Sequence, residues 1–65
     1  MFCRENLNVV LARNNMKQKD LCKVLNLTEV SISKKVSLKA KWTLEDVNLF
    51  SKHFGKEETE FVFFN

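Results

Sequence analysis

The sequence predicts an all-α fold, a compact bundle of four to five short helices forming one domain over residues 1–65. Three observations predict it. The chain has no proline and a single glycine, too few turn formers for a sandwich or barrel. Apolar residues recur at helical spacing along most of its length. Hydrophobic residues make up 45% of the composition, enough for one small core but not two. A chain of this size also has little room for a deep catalytic cleft.

The first helix is expected over roughly residues 5–14. Leu7, Val10, Leu11 and Met16 form its inward stripe, and Asn14-Asn15 ends it, since asparagine favours turns and helix ends. A second helix is expected from Gln18 to Leu25, with Leu21, Val24 and Leu25 apolar and Cys22 a small inward hydrophobe. A third runs from Glu29 to Val36, with Thr28 as its N-cap. Ile32 and Val36 face in, and Val30 lies on another face. Between the second and third helices stand only Asn26, Leu27 and Thr28. Helices joined so tightly cannot lie antiparallel and must cross steeply, which makes this pair a helix-turn-helix unit.

The fourth helix starts at Thr43-Leu44-Glu45-Asp46, an N-cap followed by acids and close to a capping box with Asp in place of Glu. Leu44, Val47, Phe50 and Phe54 make its inward stripe with Leu49 alongside, and Gly55 supplies a left-handed cap. The last segment, roughly residues 58–63, reads equally as a helix end or a brief strand, because Phe61-Val62-Phe63-Phe64 has no period.

Charge divides the chain more sharply than its formal total of +3 suggests. From residue 13 to 41, Arg13, Lys17, Lys19, Lys23, Lys34, Lys35, Lys39 and Lys41 face only Asp20 and Glu29, a net of +6. From residue 42 onward, Lys52 and Lys56 face Glu45, Asp46, Glu57, Glu58 and Glu60, a net of −3. The basic part is the part with the helix-turn-helix pattern, which suits a polyanion on one face. A solvated lysine surface is the alternative.

Other chemistry finds little support. Cys3 and Cys22 have no metal-ligand spacing, and neither a disulfide nor a metal is expected. His53 has no nucleophile or second ligand near it in sequence, so no enzyme activity is expected and no cofactor. No run of 18 apolar residues is present, so the chain is expected to be soluble and intracellular, without a membrane partner. Trp42 could stack on a sugar but is read as a core plug.

Gln18, Leu21, Cys22, Leu25, Asn26-Leu27-Thr28 and Ile32-Ser33 together resemble the phage Cro/lambda-repressor type helix-turn-helix family. So do Trp42-Thr43-Leu44-Glu45-Asp46-Val47, Phe54-Gly55 and the closing Phe63-Phe64-Asn65. The resemblance covers roughly residues 5–65. Cys22 stands where relatives usually have alanine, Asn26 where they usually have glycine, and Ser37-Leu38-Lys39 where they often have Asn-Gly-Lys. Lys35 stands where many are apolar. The resemblance implies a small transcriptional regulator, Cro- or repressor-like, in the cytoplasm of a bacterial host and at its nucleoid. Its partner would be a double-stranded, palindromic DNA operator, with no small-molecule ligand.

The resemblance also makes the third helix the recognition helix. Its positions unused by the core include Glu29, Val30, Ser33 and Lys34, which become the expected base contacts. Lys34 suits guanine, Ser33 donates or accepts, and Val30 suits a thymine methyl. Glu29 suits cytosine N4, or else only stabilises the helix N-terminus. Lys17, Gln18, Lys19, Lys39 and Lys41 are the expected phosphate contacts, which position without specifying. The aromatic tail is expected to cover part of the core, with Phe61, Phe63 and Phe64 supplying a homodimer interface. The rival reading is a protein-interaction module, an antitoxin-like or antirepressor partner acting through that tail.

Overall fold

A computed structural model describes residues 1–65 and contains helices only: α1 (Arg4–Arg13), α2 (Leu21–Leu25), α3 (Glu29–Val36), α4 (Leu44–Phe54) and α5 (Lys56–Phe63). The stretch expected as one helix from Gln18 is divided, with a 3-10 turn at Gln18–Asp20 leading into α2. That turn is closed by Asp20, whose carboxylate accepts from the Lys17 backbone N–H at 2.8 Å. The tail left open between helix and strand is helical as far as Phe63.

One core joins all five helices. Leu7, Val10 and Leu11 enter from α1, Leu21 and Leu25 from α2, Ile32 and Val36 from α3, Phe50 from α4, and Val62 and Phe63 from α5. The N-terminal segment is tied to the last helix, since the Cys3 N–H donates to the Val62 carbonyl at 2.8 Å. Asn6 Nδ2 donates to the Phe61 carbonyl, also at 2.8 Å. Phe2, Trp42 and Phe63 form an aromatic cluster, with Phe2 tilted against Trp42 at a centroid distance of 4.9 Å and Phe63 edge-on to Trp42 at 5.1 Å. Trp42 is therefore a core plug, as expected. Both cysteines are free and half-buried.

One inward and one outward assignment are corrected. Leu44 is 77% exposed, because it is the first residue of α4 and the inward stripe begins two residues later, at Asp46. Phe63 is 6% exposed and packs on Phe2, Trp42 and Phe50, so it has no surface to give to a dimer interface. The inward face of α5 is Thr59, Val62 and Phe63, the i, i+3, i+4 spacing of a helix that buries one stripe.

Helices α1, α2 and α3 end in the same way. After each comes a residue with positive φ, respectively Asn15 (56°), Asn26 (56°) and Leu38 (62°). The next N–H then reaches back across the last turn: Met16 to the Leu11 carbonyl at 2.8 Å, Leu27 to Cys22 at 3.0 Å, and Lys39 to Lys34 at 2.8 Å. This is the Schellman closure, which satisfies helix carbonyls at the cost of a left-handed residue. Asparagine tolerates that conformation and makes the tight turn between α2 and α3 possible without glycine.

Gly55 departs from the expected left-handed cap. Its φ of 95° and ψ of 166° join α4 to α5 with no intervening loop. That region of backbone space is open essentially to glycine alone. A Cβ placed there would meet nothing within 4 Å, so substitution costs strain and no steric clash. Gly55→Ala is expected to lose about 1–3 kcal/mol of stability, measured by urea denaturation. An unchanged midpoint would show that the α4–α5 junction adapts.

Candidate nucleic-acid interface

The outward face of α3 is set by its inward one. Ile32 and Val36 are buried, and between them Lys35 turns inward as well, its ammonium paired with the Asp46 carboxylate of α4. With those three positions committed, the opposite side carries Glu29, Val30, Ser33 and Lys34, all exposed. They are spaced at i, i+1, i+4 and i+5, so they form one ridge. The helix start is fixed by Thr28, whose hydroxyl accepts from the Ser31 N–H at 3.2 Å. At the far end, Ser37 Oγ donates to the Ser33 carbonyl at 2.8 Å.

Two shallow hollows flank that ridge. Gln18, Lys19, Glu29, Ile32 and Ser33 line the first, which lies between the 3-10 turn and α3. Glu29, Val30, Ser33, Lys34, Ser37 and Lys39 line the second, which runs toward the loop after α3. Seven of the nine residues nominated from sequence are thus gathered around one helix. Lys17 and Lys41 line neither hollow, although both are exposed. Ser37 is the one polar residue the sequence reading passed over. Its position just past a helix of basic last turn was the available signal.

The electrostatics of this face differ from the sequence count. Arg13 is directed to α5, bonding Glu58 at 3.1 Å and lying 5.4 Å from the Phe61 ring centroid. Lys35 is held inside by Asp46. Both cations therefore leave the surface charge near α3. Lys17, Lys19, Lys23, Lys34, Lys39 and Lys41 remain, each exposed and without an ion-pair partner. Against them stand Asp20, engaged by the Lys17 backbone, and Glu29, which makes neither a salt bridge nor a side-chain hydrogen bond.

Asp46 is the buried charge that holds this arrangement. It is 4% exposed. Its carboxylate accepts from the Thr43 N–H at 3.0 Å while the Thr43 hydroxyl accepts from the Asp46 N–H at 3.1 Å. Burial alone would push its carboxyl up, but the Lys35 ammonium, and after it the Thr43 N–H and hydroxyl beside the carboxylate, outweigh that and hold it below its ordinary value of 3.8. Lys35 and Asp46 thus lock the C-terminal half of α3 to the start of α4.

The tail offers less surface than its composition suggested. Phe61 is half-buried beneath Arg13, Val62 and Phe63 are core, and only Phe64 is well exposed, at 66%. No helix in the structure is long and apolar enough to cross a membrane. A family model described as Cro/C1-type HTH DNA-binding domain matches residues 6–62. No curated protein and no solved structure gives a significant match.

Proposed function

The chain belongs to the Cro/C1-type HTH DNA-binding domain family, and on that premise we propose that it is a sequence-specific transcriptional regulator, Cro- or repressor-like and of phage or prophage type. In this reading α3 enters the major groove of an operator. The observation that carries it is the exposed ridge of Glu29, Val30, Ser33 and Lys34, flanked by unpaired lysines and backed by a locked core face. An ammonium at Lys34 can donate to guanine O6 and N7, a hydroxyl at Ser33 can donate or accept, and Val30 matches a thymine methyl. Lys17, Gln18, Lys19, Lys39 and Lys41 hold phosphates on either side and set the depth of the helix.

A homodimer on a palindrome would bring two copies of α3 to successive grooves about 34 Å apart. With Phe63 in the core, Phe64 and the edge of Phe61 are what the tail brings to such an interface. The same loss of surface weakens the rival use of the tail as a docking site for a different protein. The reading calls for no catalysis, cofactor or metal, and it puts the protein at the nucleoid of a bacterial cytoplasm.

Salt titration of binding to a duplex selected from random sequence tests this reading. Four lysines on phosphates predict a log–log slope of about −3.6 for each bound protomer. Absence of binding at low salt would reject it. Glu29 has a separate test. As a base reader, Glu29→Gln should lose about 1–3 kcal/mol of discrimination at a single C·G pair. A uniform tightening on every duplex would instead assign Glu29 to the α3 N-terminus alone.

A further inference from the structure

Of the three residues that end helices in the left-handed region, two are asparagines and the third is Leu38, with φ of 62°. Leucine is a poor choice there, because its Cβ crowds the adjacent carbonyl and glycine or asparagine would close the helix equally well. The core gains nothing in return, since Leu38 is 67% exposed. The loop closes through the Leu38, Lys39 and Ala40 N–H groups, which donate to the Lys35 and Lys34 carbonyls, and through Ser37 Oγ, with no part for the leucine side chain. A strained, exposed, apolar residue that does not serve the fold points to something outside it.

Its neighbours identify the surroundings. Ser37 and Lys39, on either side in sequence, line the hollow shared with Val30, Ser33 and Lys34. Resting on the DNA-binding reading above, we infer that Leu38 packs against a deoxyribose of the operator backbone, beside the phosphates held by Lys39 and Lys41. The apolar groups a duplex offers are thymine methyls and sugar carbons. Methyls lie on base edges, at the end of α3 where Val30 stands. The last residue of α3, Val36, is six residues further on, about 9 Å along the axis, and Leu38 lies past that end among the phosphate-binding lysines. Sugars lie between phosphates along each strand, so the contact is independent of sequence and sets the register of α3 in the groove.

Leu38→Gly and Leu38→Asn both release the backbone strain, and Asn does so without adding loop flexibility. For both, the urea midpoint is expected to rise. Affinity is expected to fall about five- to tenfold, by the loss of a buried leucine contact. The fall should be equal on a duplex selected from random sequence and on an unrelated one, with the salt slope unchanged because leucine neutralises no phosphate. Undiminished affinity in the two folded variants overturns the inference while leaving the DNA reading intact. A fall confined to duplexes with thymine at one position, and abolished when uracil replaces it, overturns the sugar assignment. If the unaltered chain binds no duplex at low salt, the DNA reading fails first and this inference with it.

Discussion

Asp46→Ala is expected to lose about 3 kcal/mol or more of stability at neutral pH, a large share of what the domain has. Removing one partner of a buried ion pair typically costs about 3–5 kcal/mol, because the other charge stays behind without compensation. Lys35 is that charge here, its side chain only 12% exposed. The substitution also strips α4 of its capping box, leaving the Thr43 N–H without the carboxylate 3.0 Å away and costing about 1 kcal/mol more. A domain of this length has only about 3–10 kcal/mol of stability in all. Circular dichroism with urea denaturation measures the effect. Retention of the wild-type midpoint would mean that the pair contributes nothing net. A double-mutant cycle of Lys35→Met and Asp46→Asn isolates the pair, and a coupling of about 1–3 kcal/mol is expected. Additive losses would place the whole effect in the cap.

The same pair fixes the direction of the pH dependence. Asp46 has a folded pKa below its ordinary value of 3.8. Its stabilising contribution is therefore complete above that value and disappears as pH falls through the lower, folded one. Acid should unfold the wild type below about pH 4. The stability gap between wild type and Asp46→Asn should be widest near neutrality and close on the acid side. A gap that stays constant down to pH 2 would exclude Asp46 as the titrating group.

Much of the fold was legible because helix ends are local events. Thr28, Thr43, Asn15 and Asn26 each act within four residues of their own position, and each cap or left-handed turn lies where the sequence put it. The ridge on α3 was legible for a related reason: once Ile32 and Val36 face inward, helical geometry dictates what faces outward. Contacts between distant parts of the chain were not legible. Lys35 stands where many relatives are apolar and Asp46 reads as part of a cap, but nothing local pairs them, and only the approach of α3 to α4 brings the two charges together. Phe61-Val62-Phe63-Phe64 is apolar at every position, so periodicity could not say which ring is covered. Phe2 and Trp42, far away in sequence, decide it by meeting Phe63. The count of positive charge was misleading in the same way, since Arg13 and Lys35 find their acids only after folding.

That corrected charge distribution yields the second large effect, at Lys34. Lys34 and Lys35 are adjacent and chemically identical, yet one lies on the exposed ridge and the other is held by Asp46. Lys34→Ala should lose about 1–3 kcal/mol of affinity for the selected operator and discriminate less at one base pair, because a base-edge donor is gone. Lys39→Ala should weaken the operator and unrelated duplexes by the same factor and reduce the salt slope by about 1. Binding isotherms on the operator, on single-base variants and on an unrelated duplex, each at several salt concentrations, separate the two patterns. Lys35→Met supplies the contrast. As an inward residue it should leave the salt slope unchanged and show its effect in stability, whereas a fall in slope equal to that of Lys39→Ala would mean the ammonium leaves Asp46 for a phosphate when DNA is bound. Equal losses for Lys34→Ala and Lys39→Ala on every duplex would remove Lys34 from the base-reading ridge and assign both lysines to the backbone.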